Sequence, residues 1–216
     1  MNTLFSPEGE AFRFLCRLAD LCIVSLLWAV CCLPLVTIGP ATAALYHTAV
    51  TVIRGERSEV FADYFHAFRL NLRQGCVLTL VFGAYFALVW AGVALSAQMD
   101  TGTPLDAFYP WLARAMAVPG LLPLPYIFAY LSRVCNTIGG YITISLLLAI
   151  RHIPSTLVLL AVLGTAAWAL YSWPVTVVFA PGLAALLASF PLEAVFARHM
   201  PAPPAGDDAD GSAPQG

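Results

Sequence analysis

The residues best placed to do chemistry are the few charged and polar groups set inside long apolar runs. Asp20 stands one helical turn after Arg17. It reads either as a buried functional carboxylate or as half of an i, i+3 ion pair at the membrane boundary, and the spacing favours the pair. Glu193, near the end of the last apolar run, has Arg133 as a partner across helices and Arg198 as a partner nearby. Structural pairing is again the favoured reading, and a proton-coupling carboxylate is the sharper alternative. His47, beside Tyr46, is a candidate lining residue. Thr37, Gly39, Pro40 and Thr42 read as a broken-helix motif. Its freed backbone amides and carbonyls would bind an ion or polar ligand, or simply close a tight turn. Arg69, Arg151 and Asn136 complete the set of candidate functional or structural polar residues.

Several chemistries have no residues to carry them. The ten basic residues are all arginine, so a Walker-type lysine and a Schiff-base lysine are both missing. There is no H-E-x-x-H and no G-x-S-x-G. No two histidines show metal-ligand spacing, and the six cysteines (Cys16, Cys22, Cys31, Cys32, Cys76 and Cys135) form no C-x-x-C pair. Buried free thiols are expected, with no metal, no cofactor and no enzymatic activity. A net charge of −2 supplies no basic field for nucleic acid.

These residues need elements to position them, and the elements must be helices in lipid. A chain of 216 residues that is 60% hydrophobic and 10% charged exceeds what one small water-soluble core can bury. The expected fold is all-α: a polytopic transmembrane helical bundle of five to six spans, with one or two amphipathic interfacial helices. Ser6, Pro7 and Glu8 mark a helix start, and residues 18–38 form a retained first span that ends where Pro34, Gly39 and Pro40 break it. Residues 41–53 are a short second segment whose crossing decides between five and six spans. Residues 58–73 place Phe61, Tyr64, Phe65, Phe68 and Leu72 on one stripe, which predicts a helix lying in the interface. Residues 75–97 span, and 98–110 are a turn-rich loop. Residues 111–131 span with kinks at Pro119, Pro123 and Pro125. Residues 133–151 read as a second interfacial or re-entrant helix, and 156–171 with 174–196 as a closing hairpin of spans. Residues 1–199 then form a single helical membrane domain, and 200–216 a disordered tail rich in Pro, Ala, Gly and Asp.

The arginines set the expected orientation. Loop 98–110 and the turn at 171–174 contain no basic residue, whereas nine arginines can share the opposite side, leaving only Arg114 near the far face. The arginine-bearing side is therefore expected in the cytoplasm. A loose internal similarity relates FADYFHAFRLNLRQGCVLTL to GGYITISLLLAIRHIPSTLVLL, with Arg69 and Arg151 in comparable places.

The stretch FSPEGEAFRFLCRLADLCIVSLLWAVCCLPLVTIGPATAALYHTAV, with RGE and FADYFHAFRLN after it, resembles the YesL family of bacterial membrane proteins of unknown function. YIFAYLSR and LLLAIRHIPSTL match that family more loosely, with Ala129 where a proline is usual. The resemblance extends to about His199. It implies a multi-pass protein of the bacterial cytoplasmic (inner) membrane. Such proteins are often encoded beside carbohydrate uptake and degradation systems. On that basis a noncatalytic accessory or regulatory component is expected, in contact with the lipid bilayer and with a sugar transporter or membrane sensor. The alternative is a small secondary transporter or channel.

Overall fold

The computed structural model describes residues 10–53, 59–96, 98, 105–133 and 137–199. The start signal at Ser6, Pro7 and Glu8, the arginines Arg54 and Arg57, Cys135, Asn136 and the tail after residue 199 lie outside the described residues. Among the described residues there is no strand. The chain runs through helices α1 (Glu10–Cys31), α2 (Ile38–Thr48), α3 (Val60–Ser96), α4 (Leu105–Ala115), α5 (Ala117–Leu121), α6 (Leu124–Leu131), α7 (Ile138–Arg151), α8 (Ile153–Ser172) and α9 (Ala180–His199).

The first break falls earlier than the glycine and proline of the broken motif suggest. α1 ends at Cys31, a 3-10 turn covers Leu35–Thr37, and Gly39 and Pro40 then sit inside the first turn of α2. Proline is tolerated there because the first amides of a helix have no intrahelical acceptor to lose. The chain breaks instead ahead of Pro34, whose ring disfavours helical backbone in the residue before it. α2 runs on through a π turn over Ala49–Ile53. It is buried nearly all round, with Gly39, Pro40, Ala41, Ala43, Ala44, Leu45, Tyr46 and Thr48 inside. Helices α1, α3, α6 and α9 pack around it. A helix apolar on every side belongs in the middle of a bundle, and its small residues let those neighbours approach.

The interfacial helix expected over 58–73 is not a separate element. It is the start of α3, which continues unbroken through the span for 37 residues, about 55 Å at 1.5 Å per residue. That is well beyond the ~30 Å of a hydrocarbon core. The middle of the stripe, Tyr64, Phe65 and Phe68, faces protein, while Phe61 and Leu72 at its ends are exposed. Tyr64 is fully buried among Leu21, Val24, Ala44 and Leu45, with Phe65 and Phe68 packed on the same cluster. Phe61 alone of the four aromatics is exposed.

The next crossing is broken into α4, α5 and α6, in keeping with its prolines, although α4 already begins at Leu105 inside the expected loop. Pro123 caps α6 and Pro125 lies in its first turn. In the closing hairpin, Pro174 opens a 3-10 turn over Pro174–Val178, so α9 starts at Ala180 and not at the proline. α1 and α9 meet at Gly182, where a Cβ would stand 2.8 Å from the Leu21 carbonyl oxygen. The Gly182 amide donates there to Ser25 Oγ at 2.9 Å. Cys16, Cys22, Cys31, Cys32 and Cys76 are free thiols.

The outside of this bundle is apolar. Val60–Ser96, Phe108–Leu131 and Ile153–Ser172 are each long and apolar enough to cross a membrane. Trp90, Trp111, Trp168 and Trp173 are each more than 70% exposed. A water-soluble fold would bury such side chains, whereas at a membrane–water boundary their amphipathic rings are at home.

Candidate functional site

The site is built on α2 from its first residue. Thr37 Oγ1 lies 2.6 Å from the carbonyl oxygens of both Cys31 and Pro34, which closes the link between α1 and α2. The Gly39 amide donates to Thr79 Oγ1 on α3 at 2.9 Å, and that hydroxyl donates on to the Gly75 carbonyl at 2.8 Å. Pro40 lies directly on Gly75, where a Cβ would stand 2.7 Å from the proline nitrogen. A Cβ on Gly39 would in turn meet the Gly75 carbonyl oxygen at 2.5 Å. Thr42 donates to the Ile38 carbonyl at 2.7 Å and accepts from Trp28 Nε1 at 3.2 Å. The polar groups that the sequence offers to an ion or polar ligand are thus engaged within the protein.

Further along, α2 delivers Tyr46 to a charged cluster. The Tyr46 hydroxyl, on a side chain only 5% exposed, donates to Glu193 Oε1 of α9 at 3.0 Å. Arg133, just past the end of α6, forms an ion pair with the same carboxylate oxygen. Its guanidinium carbon lies 5.9 Å from the centroid of the Tyr46 ring, within cation–π range. Of the two partners open to Glu193 in the sequence, the cross-helix one, Arg133, is in contact, and the side chain of Arg198 lies outside what is described. The segment leading to Arg133 is anchored by neighbours. Tyr130 packs edge-on to Tyr141 of α7 with centroids 5.5 Å apart, and the Tyr141 hydroxyl donates to Gln74 of α3 at 2.8 Å. Tyr126 and Thr156 add a contact at 3.1 Å between α6 and α8.

Beside this cluster lies a half-open cavity of about 230 Å³. Its walls come from α1, α2, α6, α8 and α9, and they are almost wholly apolar. Tyr46 belongs to the wall, and Leu192, next to Glu193 in sequence, lines it too. The polar cluster therefore adjoins an apolar chamber in the heart of the bundle.

The other candidate residues are scattered. Asp20 is half-buried on α1, His47 is half-buried on α2, and Arg69 and Arg151 are exposed on α3 and α7. Gly75, Thr79, Trp28 and Tyr46 are contributors that the sequence alone does not single out. Gly75 carries one signal, as the single glycine between a polar helix face and an uncharged run. Tyr46 carries another, as the last residue of the TIGPATAALY stretch.

The exposed apolar helices and the outward tryptophans mark an all-helical membrane protein. Residues 21–93 match a family described as "Protein of unknown function, DUF624". The match runs from the middle of α1 through α2 to near the end of α3, and so takes in Gly39, Pro40, Tyr46, Gly75 and Thr79. No curated protein and no solved structure matches the chain.

Proposed function

We propose that this chain is a noncatalytic accessory or regulatory protein of the bacterial cytoplasmic membrane, docking on a larger transporter or sensor of carbohydrate uptake. The observation that carries this reading is the use of α2. The segment best suited to line a solute path has its Gly39 amide bonded to Thr79 Oγ1 and its first turn closed against Gly75. What remains for a partner is the outer surface. Arg69 and Arg73 are exposed on α3 with Leu70 and Leu72 exposed between them, and Arg151 is exposed at the end of α7. On the positive-inside rule this face is cytoplasmic. The link to sugars rests on the YesL resemblance, which is most specific over the same part of the chain that matches DUF624.

The second reading, a small secondary transporter or channel, draws its support from the cavity between α2, α6, α8 and α9. Two experiments separate them. Cross-linking in native membranes is expected to join the chain to a sugar-transport or sensor component, and the charge reversals Arg69→Glu and Arg73→Glu to abolish that adduct. Purified protein in proteoliposomes is expected to move candidate sugars and ions no faster than empty vesicles do. Flux above that background, with the chain recovered alone from membranes, would overturn the accessory reading in favour of transport.

A further inference from the structure

We propose that α1 and α2 form a re-entrant hairpin, which enters the bilayer from the side of Arg69 and Arg73, sets its aliphatic turn among lipid acyl chains and leaves on the same side. The argument uses α3 as a ruler and does not depend on the docking role proposed above. Exposed Arg69 and Arg73 stand at one end of the uncharged run of α3, and exposed Trp90 stands near the other. Arginine and tryptophan both settle at membrane boundaries. From Arg69 to Trp90 the helix rises about 30 Å, the thickness of a hydrocarbon core. The turn between α1 and α2 is fixed to this scale by the Gly39 amide, bonded to Thr79 Oγ1, and by Pro40 lying on Gly75. Thr79 is about 15 Å along the axis from Arg69 and about as far from Trp90. The turn therefore stops near mid-membrane. Tyr64, on the other side of Arg69 from the run, packs on Leu21, Val24, Ala44 and Leu45. The bodies of α1 and α2 have thus already reached the arginine boundary.

The turn itself has the composition and the bonding that hydrocarbon demands. Residues 32–36 carry no charge, and Leu33 and Leu35 are 80% and 76% exposed. Acyl chains accept such side chains freely, whereas water would have to hydrate them. The loop at 98–104, by contrast, carries Asp100, Thr101 and Thr103. Backbone groups in lipid must find partners within the protein. The amide of Cys32 donates to the Trp28 carbonyl at 2.9 Å, that of Leu33 to Val30 at 3.2 Å and that of Thr37 to Pro34 at 2.9 Å. Pro34 has no amide to satisfy, and the Thr37 hydroxyl covers the carbonyls of Cys31 and Pro34. A hairpin that crossed fully would place its turn beyond Trp90. Residues 18–38 and 41–53 instead make one excursion into the bilayer, and both ends of the hairpin remain beside the arginine face.

The test uses the full chain with its six cysteines replaced and a single cysteine introduced as Leu33→Cys, Leu35→Cys or Gly102→Cys. Each is treated with a membrane-impermeant maleimide in intact cells and in inverted membrane vesicles. Gly102→Cys is expected to be labelled from one side only. Leu33→Cys and Leu35→Cys are expected to be labelled from neither side, and fully once the membrane is dissolved in SDS. Which side labels Gly102→Cys does not matter here, so an inverted orientation would leave the proposal standing. Labelling of Leu35→Cys from the same side as Gly102→Cys would mean that the hairpin crosses. Labelling from the opposite side would mean that its turn lies in water, and either result overturns the proposal.

A second measurement keeps the native cysteines and covers the case in which the cysteine-free chain fails to fold. Leu35→Trp is made with the five native tryptophans replaced by phenylalanine, and the protein is placed in phosphatidylcholine vesicles brominated at different depths along the acyl chain. Quenching at position 35 is expected to be strongest with the deepest bromines. A chain that keeps Trp90 as its single tryptophan should show the reverse order. Strongest quenching at position 35 by the shallowest bromines would overturn the proposal as well.

Discussion

Gly75→Leu is expected to leave almost no folded protein in detergent extracts, while Gly83→Leu, eight residues along the same helix, leaves the yield unchanged. At Gly75 a Cβ would stand 2.7 Å from both the nitrogen and Cδ of Pro40, and 3.0 Å from its Cα. These are ring and backbone atoms that no rotamer change can move. At Gly83 a Cβ meets nothing within 4 Å. Ordinary overpacking of a core costs about 1–3 kcal/mol because side chains can yield. Here α2 and α3 would have to separate, giving up the hydrogen bond from the Gly39 amide to Thr79 and part of the burial of α2. A loss of about 3 kcal/mol or more is the expected scale. Gly39→Leu should behave alike, since its Cβ would meet the Gly75 carbonyl oxygen at 2.5 Å. The check is size-exclusion profile and thermal midpoint for each variant. Equal midpoints for the Gly75 and Gly83 variants would show that the two backbones do not meet as described.

The second large effect is expected at Glu193. Glu193→Ala removes the acceptor of the Tyr46 hydroxyl and the partner of Arg133 together. Each side chain of the ion pair is about a quarter exposed, at 26% and 29%, so water relieves some of the loss that a fully buried pair would suffer. With a nearly buried hydroxyl also orphaned, a destabilisation of about 2 kcal/mol is reasonable. Glu193→Gln keeps a carbonyl acceptor for Tyr46 and should cost less. Tyr46→Phe removes one hydrogen bond and should cost about 1 kcal/mol. A double-mutant cycle of Arg133→Gln with Glu193→Gln isolates the ion pair. Additive effects would mean that the contact contributes no coupling.

Much of this arrangement is legible in the residues themselves, and the reasons differ by element. Hydropathy locates the long apolar helices because lipid demands runs of ~20 residues, a signal that tertiary packing cannot mask. The prolines at 119, 123 and 125 mark where the following crossing divides into α4, α5 and α6. The aromatic stripe of 58–73 specifies a helix, yet periodicity does not choose between a membrane surface and a protein surface. Leu21, Val24, Ala44 and Leu45 provide that second surface, and they come from segments distant in sequence. Of the expected breakers Pro34, Gly39 and Pro40, Pro34 marks the first break, whereas the Gly-Pro pair only looks like a helix breaker. Its effect depends on whether it falls in the middle of a helix or in the first turn.

The candidate residues divide along the same line. Glu193 is visible as a carboxylate needing a partner, and Arg133 is among the cations able to provide one. Tyr46 as the third member is not, since a tyrosine in an apolar helix announces only a ring. The cavity is invisible too, because it arises from alanines on α8 and α9 meeting across space. Alanine is also what any apolar helix of this composition contains. Thr37, Gly39 and Pro40 draw attention for their backbone. Their contribution in the structure is the close approach of α2 to α3, which puts α2, and with it Tyr46, at the centre.

The central claim is that these helices cross a membrane with the arginine-bearing end inside. Its most direct test is cysteine accessibility in intact cells, using a chain whose own cysteines have been replaced. Single cysteines at Gly102, between α3 and α4, and at Gly55, between α2 and α3, are treated with a membrane-impermeant maleimide. The expected result is labelling of Gly102→Cys from outside, with Gly55→Cys labelled only after the cells are permeabilised. Labelling of both from outside, or of Gly55→Cys alone, would contradict the orientation and remove the cytoplasmic docking face on which the proposed function depends.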